Sequence, residues 1–448
     1  MLSFAAMADG KQLARRIFLR ILDELDVADS VACNLSRLHQ VLQCGDREYD
    51  LQELNDVRLI GVGKAAHGMI DGIFSVLPEP FGVKGIVAAP SAPAKARAGI
   101  RYFLAGHPTP NEQSLLAGEA ALNLVRDCSH ETLVIVLVSG GGSALLERPL
   151  PSTITLDDVQ ALNRALVTCG ASITEINTIR KHCSAIKGGR LAQAAYPASM
   201  LTLAISDVPV GYESALASGP TLPDPTTREQ VTQVIAKHHL RDRLPERLMD
   251  WIDRHEMPET PKAADPAFAN ANFHLILGMH ELFHTAHRIA EAEDCLAFCD
   301  NSTDDWPVES AADELLAQLE KLAATNPGKA VALIADGELS SQVTGDGLGG
   351  RNSAFVLACA QRIAGKSITV LSCGTDGIDG NSPAAGAVAD GETLARAASA
   401  GMNPSEYFQN SDSFRFFAAL GDDITIGPTG NNLRDLRLLI ASPGSRAS

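Results

Sequence analysis

Residues Leu133–Val138 form an unbroken aliphatic run that passes straight into Ser139-Gly140-Gly141-Gly142-Ser143 and then Ala144-Leu145-Leu146. Six residues are far too few to cross a bilayer and suit a buried strand. A buried strand that empties into a flexible loop and a helix start is the local signature of α/β architecture. Free backbone N–H groups and a helix N-terminus make such a junction ready to take an anion, and glycine lets a phosphate approach the backbone closely.

The same alternation recurs along the chain. Strands are predicted at Val57–Val62, Val83–Ala89, Arg101–Ala105, Thr132–Val138 and Met200–Ile205, with helical periodicity between them. Periodicity fades between Arg241 and Asn272, where Pro245, Pro258, Pro261 and Pro266 cluster. It resumes in Phe273–Leu277, Cys295–Cys299, Ala330–Ala335, Ser367–Ser372 and Ile424–Ile426. The expectation is two α/β domains, 1–265 and 266–448, built on largely parallel sheets, with the site in the cleft between them.

Charge and cysteine usage narrow the function. Lys plus Arg number 37 against 54 Asp plus Glu, a net charge of −17, which disfavours nucleic acid and anionic membrane as partners. The nine cysteines are odd in number, irregularly spaced and without a CxxC pair, so reduced cytoplasmic thiols are expected rather than a disulfide framework or zinc site. Leu13, Ile17, Phe18, Ile21 and Leu25 recur at helical spacing with acids interspersed, which predicts an amphipathic helix rather than a targeting peptide. Homo-oligomerisation is left open.

Leu59-Ile60-Gly61-Val62-Gly63-Lys64-Ala65-Ala66 formally satisfies the dinucleotide fingerprint after a strand. That reading needs an acid at the end of the next strand, and the chain there reads Val87-Ala88-Ala89-Pro90-Ser91. Lys64, set in a glycine turn, is better suited to meet a phosphate or carboxylate as a point charge. Gly365-Lys366-Ser367 resembles the end of a P-loop, but Ala360 stands where the first glycine is required.

A helical face carries Asn177, Arg180, Lys181 and Ser184, and from Glu175 to Asp207 the chain has basic residues, Lys187 among them, but no acid between. In so acidic a protein this island suits a polyanionic substrate. Asp207 follows a strand and sits where α/β sheets present catalytic groups. Asp376 and Asp379 follow another strand; either locus suits Mg²⁺, which takes one or two carboxylates plus phosphate oxygens. Gly345–Asn352 precedes a helix, with Arg351 at its entrance suited to clamp a phosphate bidentately. His280, His284 and His287 share a helix face without the acid of a zinc motif and are read as a solvated face.

Gly61–Ala66, Gly106-His107-Pro108-Thr109-Pro110, Ser139–Ser143, Asn177–Arg190, Ser206-Asp207-Val208, Ser218-Gly219-Pro220-Thr221, Gly349–Asn352, Thr375–Gly380 and Gly427–Gly430 stand in this order. Over nearly the whole chain this set resembles class II glycerate 2-kinases with a C-terminal MOFRL domain, whose members often carry the label hydroxypyruvate reductase. One departure is Asp336-Gly337-Glu338-Leu339-Ser340 where that family usually has Gly-Gly-Glu-Thr-Thr. The resemblance implies a Rossmann-like N-terminal domain, a smaller MOFRL domain over about 328–440, and a cleft between them. It implies transfer of the ATP γ-phosphoryl group to the 2-hydroxyl of D-glycerate with Mg²⁺ or another divalent cation. By position, the family's catalytic lysine and arginine fall on Lys64 and Arg351.

Joined to the residue chemistry, this sets the expected site. Lys64 and Arg351 face the transferring phosphoryl from opposite domains, and Ser139, Gly140, Gly141, Gly142 and Ser143 cradle phosphate oxygens. Asp207 holds the metal or orients the hydroxyl. Asn177, Arg180, Lys187, Asn352 and Asp376 complete the substrate- and phosphate-binding set. The rivals are an NAD(P)H-dependent hydroxypyruvate reductase and a non-catalytic binder of phosphorylated sugar acids.

Overall fold

The computed structural model describes residues 10–77, 82–206, 208, 211–431 and 433–443. It divides into two compact units. One spans Val27–Gly278, and the other joins the chain up to Asp26 to everything from Met279 onward. The division therefore falls after Gly278 and not at 265, because the strand over 271–277 pairs with the preceding strand of the first unit. The N-terminal helix Gly10–Glu24 goes with the C-terminal unit: Ala14, Ile17, Phe18 and Ile21 are fully buried, and Lys11 pairs with Asp422 at 2.8 Å.

In the unit 27–278 a small antiparallel sheet, β1 (Leu35–Leu38), β2 (Val41–Cys44) and β3 (Arg47–Asp50), precedes the main one. The main sheet holds β4 (Asp56–Val62), β5 (Lys84–Ala89), β6 (Ile100–Leu104), β7 (Thr132–Val138), β8 (Ser199–Ile205) and β9 (Ala271–Leu277). Its order is β6-β5-β4-β7-β8-β9, and every neighbouring pair is parallel. Chain order thus reverses between β4 and β7, the place where doubly wound sheets open a crevice beyond their carboxyl ends. Leu133, Ile135 and Leu137 of β7 are fully buried, each contributing roughly 1.5–3 kcal/mol. That burial on both faces explains the run's lack of alternation. Helices Leu156–Val167, Ile173–Cys183, Arg228–Lys237 and Glu246–Asp253 pack around Leu166, Ile179, Val231 and Leu248 as a separate core.

The second unit's sheet departs from the expected parallel arrangement. It holds β10 (Cys295–Asp300), β11 (Ala330–Asp336), β12 (Ile368–Gly374), β13 (Gly386–Asp390), β14 (Asp423–Ile424) and β15 (Asp435–Ala441), in the order β10-β11-β15-β12-β13-β14. Only β10 and β11 run parallel; β15, last in the chain, inserts antiparallel between β11 and β12. A short return between β12 and β13 and the insertion of β15 between β11 and β12 give these contacts their antiparallel sense. The helix Arg351–Ile363 packs Phe355 and Cys359 into this unit's core with Phe416 and Phe417.

Candidate functional site

The register Val62↔Val138 brings the ends of β4 and β7 level, so the loops after them leave the sheet side by side. They are tied backbone to backbone. Ser139 N–H donates to Val62 O (2.9 Å), Lys64 N–H to Gly140 O (3.0 Å), and Ala65 N–H to the Ser139 hydroxyl (3.0 Å). Gly63 has φ +125°, and a β-carbon there would sit 2.1 Å from Ser139 Oγ and 2.6 Å from its carbonyl oxygen, so no larger residue fits. Lys64 is thereby held beside the Ser139–Ser143 loop, half-buried.

The loop itself leaves its donors open. Among the described residues, none of the N–H groups of Gly140, Gly141, Gly142 and Ser143 meets a protein acceptor. Gly141 adopts φ +85° beneath the imidazole of His107, whose Cδ2 would lie 2.9 Å from a β-carbon there. The helix that follows is one turn only, Gly142–Leu145, so the open N–H groups, more than any long helix dipole, give this loop its affinity for an anion.

The basic island is largely neutralised by acids distant in sequence. Lys181 pairs with buried Asp224 at 3.2 Å, His182 with Glu259 at 2.9 Å, and Lys187, 1% exposed, is locked to Glu147. Burial pushes the Lys187 ammonium down from its ordinary range. Lys187 therefore does not present the ligand-facing charge expected of it; burial obliges it to keep a carboxylate partner. Arg180 differs: its guanidinium donates to Asn163 Oδ1, burial lowers its pKa against the opposing pull of Glu147, and no carboxylate comes within ion-pair distance of it among the described residues. Asn177 is buried and accepts a hydrogen bond from Ser218 Oγ (3.0 Å), which in turn lies 2.8 Å from Ser143 Oγ. The sequence singles out Ser218 within Ser218-Gly219-Pro220-Thr221 but not its partners, and the acids Glu147 and Asp224 were not identifiable from local sequence. Asp207 lies outside the described residues.

In the C-terminal unit Arg351 opens its helix, half-buried, between two carboxylates. Its Nε donates to Asp435 Oδ2 (2.5 Å) and its Nη1 to Glu338 Oε2 (2.9 Å), and burial working against these two partners leaves its pKa raised overall. Asp379 is a helix cap. It takes Asn352 N–H and Ser353 N–H, both at 2.9 Å, and the Ser353 hydroxyl at 2.6 Å; burial pushes its carboxyl up to about 6 against these donors. Asn352 is buried, and its Oδ1 accepts from the Ser372 hydroxyl (2.6 Å), which fixes the orientation of the side-chain amide. Asp376 remains half-buried just after β12, one oxygen accepting from Ile378 N–H (3.0 Å).

Asp336, the residue that departs from the usual glycine, ends β11 fully buried, and neither carboxylate oxygen has a hydrogen-bond donor among the described residues. Burial pushes its carboxyl up to about 6, with Arg434 (4.0 Å) and Arg437 pulling it down and Asp304 pushing it further up. Between an unfolded value of 3.8 and about 6, the unfolded chain has released a proton that the native protein keeps. Native stability from this group therefore falls as pH rises through that window. Asp336→Asn is expected to melt higher than wild type, by an advantage that grows from pH 4 to pH 6.5 and then levels at on the order of a few kcal/mol. Melting curves across that range are the check; a displacement independent of pH would remove the titration argument.

Residues 13–253 match a domain of unknown function, DUF4147, and residues 331–435 match the MOFRL family. The chain is 33% identical to a D-glycerate 2-kinase of Thermotoga maritima, over 86% of this chain and 90% of that one. It is 37% identical, over 85% of its length and 86% of the relative's, to a protein of Agrobacterium vitis that bears a provisional hydroxypyruvate reductase name. The crystal structure of a Thermotoga maritima glycerate kinase superposes with a TM-score of 0.82 at 31% identity, over 96% of this chain and 99% of that one.

Proposed function

The chain belongs to the glycerate 2-kinase family built from DUF4147 and MOFRL domains, and on that premise we propose that it transfers the γ-phosphoryl group of ATP to the 2-hydroxyl of D-glycerate, giving 2-phospho-D-glycerate and ADP. The observation that carries this reading is the run of open N–H groups from Gly140 to Ser143, tied to the Lys64 turn at the point where chain order reverses in the sheet. That arrangement supports a Rossmann-like reading of the unit and offers fixed donors plus one ammonium to an anion.

Phosphoryl transfer asks mainly for positioning and for neutral surroundings to the charge on the equatorial oxygens. In the proposed mechanism the Gly140–Ser143 N–H groups take phosphate or carboxylate oxygens, and Lys64 supplies positive charge at the transferring group. Arg180, desolvated and with no carboxylate at ion-pair distance among the described residues, adds positive potential from its helix, offset in part by Glu147. Arg351, at the entrance of its helix in the C-terminal unit, is proposed to supply a guanidinium to phosphate oxygens. Asp207 is proposed to orient the attacking hydroxyl or to share in holding the metal.

The donor chemistry fits a divalent cation that arrives with the nucleotide. Mg²⁺ takes few protein ligands and keeps phosphate oxygens and water, and the half-buried carboxylate of Asp376 at a strand's end is a donor of that kind. Asp207 or Asp376 would hold it, and when bound it would screen charge on the nucleotide's phosphates. No helix among the described residues is long and apolar enough to cross a membrane, and we propose a cytoplasmic enzyme acting on small molecules.

A second reading, hydroxypyruvate reduction with NAD(P)H, is favoured by the name of the Agrobacterium vitis relative. Against it, β5 runs out through Ala89 into Pro90 and Ser91, with no acid for a ribose hydroxyl. Purified protein given D-glycerate, ATP and Mg²⁺ is expected to release ADP only when glycerate is present, with no oxidation of NADH or NADPH in a parallel reaction with hydroxypyruvate. Nicotinamide oxidation with no ADP formed would overturn the kinase reading.

A further inference from the structure

Ala217, Ser218 and Gly219 adopt φ of 48°, 59° and 61°, three successive left-handed residues of which two carry side chains. Non-glycine residues rarely adopt this conformation, and a run of them persists only where the surroundings over-determine it. Here Gly188 N–H donates to Ser218 O (3.0 Å) and Gly189 N–H to Gly219 O (2.8 Å), with both glycines themselves at positive φ. On the other side, a β-carbon on Gly142 would lie 2.6 Å from Ala217 Cβ, so the strained segment is packed directly against the Ser139–Ser143 loop.

The fully buried Ser218 side chain sits at the centre of this packing. Its hydroxyl donates to Asn177 Oδ1 at 3.0 Å and lies 2.8 Å from Ser143 Oγ. A serine hydroxyl has one hydrogen and two lone pairs. With the Ser218 hydrogen committed to Asn177, the bond to Ser143 has Ser143 as donor. Ser143 is half-buried, and its hydroxyl then has only lone pairs left for a ligand. An ionised phosphate oxygen only accepts hydrogen bonds and has no use for them.

We propose that Ser218 is a positioning residue that fixes the Ser143 hydroxyl as an acceptor, so that Ser143 reads a non-reacting hydroxyl of the substrate acid while the neighbouring backbone N–H groups take the anion. This rests on the kinase reading and deepens it. The ligand class is a small hydroxy acid bearing a second hydroxyl, and the Ser143 side chain is a specificity element rather than part of the phosphate cradle. The strained 217–219 segment is the means by which a buried serine is aimed at a loop from which it is far removed in sequence.

The test compares D-glycerate with D-lactate, the same 2-hydroxy acid without the 3-hydroxyl, as acceptors for ATP in wild type, Ser143→Ala, Ser218→Ala and the double variant. A site that hydrogen-bonds a substrate hydroxyl rejects the analogue lacking it, and wild type is expected to prefer glycerate by on the order of 100-fold or more in kcat/KM. Each single variant is expected to reduce that ratio about 10-fold or more, through loss on glycerate with lactate little changed. Ser218→Ala is expected to change the ratio no further once Ser143 is alanine. Equal losses on both acids in Ser218→Ala, or an unchanged ratio in Ser143→Ala, would overturn the proposal. Should Ser218→Ala melt early, an unchanged ratio in Ser143→Ala still overturns the proposal, and Ser218→Cys, close in size but a weak hydrogen-bond partner, takes the place of the alanine variant in the comparison. Calorimetric binding of the two acids to the same proteins reads the same ratio without turnover. Absence of ADP formation would therefore sink the kinase reading while binding still judges the role of Ser143.

Discussion

Lys64→Ala is expected to lower kcat/KM for glycerate-dependent ADP formation on the order of 100-fold, with the melting temperature close to that of wild type. The separation of the two effects follows from how the turn is built. Gly63 makes the close approach to Ser139, the Lys64 backbone N–H makes the bond to Gly140 O, and the Ala65 N–H makes the bond to Ser139 Oγ. Alanine at position 64 supplies the same N–H, so the scaffold of both loops survives. What is lost is the ammonium that the proposed mechanism sets against the transferring phosphoryl group. Lys64→Arg keeps the charge but replaces a compact ammonium with a broad planar fork, and partial recovery at best is expected. Steady-state kinetics paired with thermal melts decide the matter. Turnover of the alanine variant within about threefold of wild type would mean that Lys64 is a surface lysine on a turn and nothing more.

The parts of this site legible in the sequence were those whose chemistry is local. The Gly63-Lys64 turn and the Ser139–Ser143 loop follow aliphatic strands directly, and the open N–H groups of the second loop follow from glycine-rich backbone after a strand end. The helix Ile173–Cys183 was legible too, but its charge was not. Along the chain Lys181 and Lys187 have no nearby acids, whereas Asp224 and Glu147, 43 and 40 residues away, meet them in the folded unit. Desolvation makes such pairing obligatory for a buried lysine, and only the tertiary fold says which acid supplies it. The same holds for β15, which comes last in the chain yet lies between β11 and β12: its partners are set by long-range antiparallel pairing that periodicity does not encode. Asp379 illustrates the opposite error. An Asp-Gly pair after a strand reads as a metal ligand or a turn, and its carboxylate is spent on the first N–H groups of the Arg351 helix.

Arg351→Ala is expected to cost a similar factor, on the order of 100-fold in kcat/KM, and Arg351→Lys is expected to recover little of it. The guanidinium is held from two sides by carboxylates of different character. Asp435 is 5% exposed at the start of β15 and orients the Nε edge, while Glu338 is 46% exposed on the Nη edge. An incoming phosphate competes with these two carboxylates for the guanidinium, and it reaches the Nη edge by displacing Glu338. The buried bond to Asp435 fixes the fork, and the exposed bond to Glu338 is the one an anion can replace, because a solvent-facing pair contributes little. Glu338→Gln should therefore lower KM for ATP severalfold, whereas Asp435→Asn should lower kcat by loosening the aim of the fork. A lysine lacks the planar pair of donors that two oxygens of one phosphate require, which is why retained charge alone is not expected to restore the rate. Arginine in a purely structural role gives a different pattern: Arg351→Ala would melt early, its folded fraction would turn over at nearly the wild-type rate, and Glu338→Gln would leave KM unchanged.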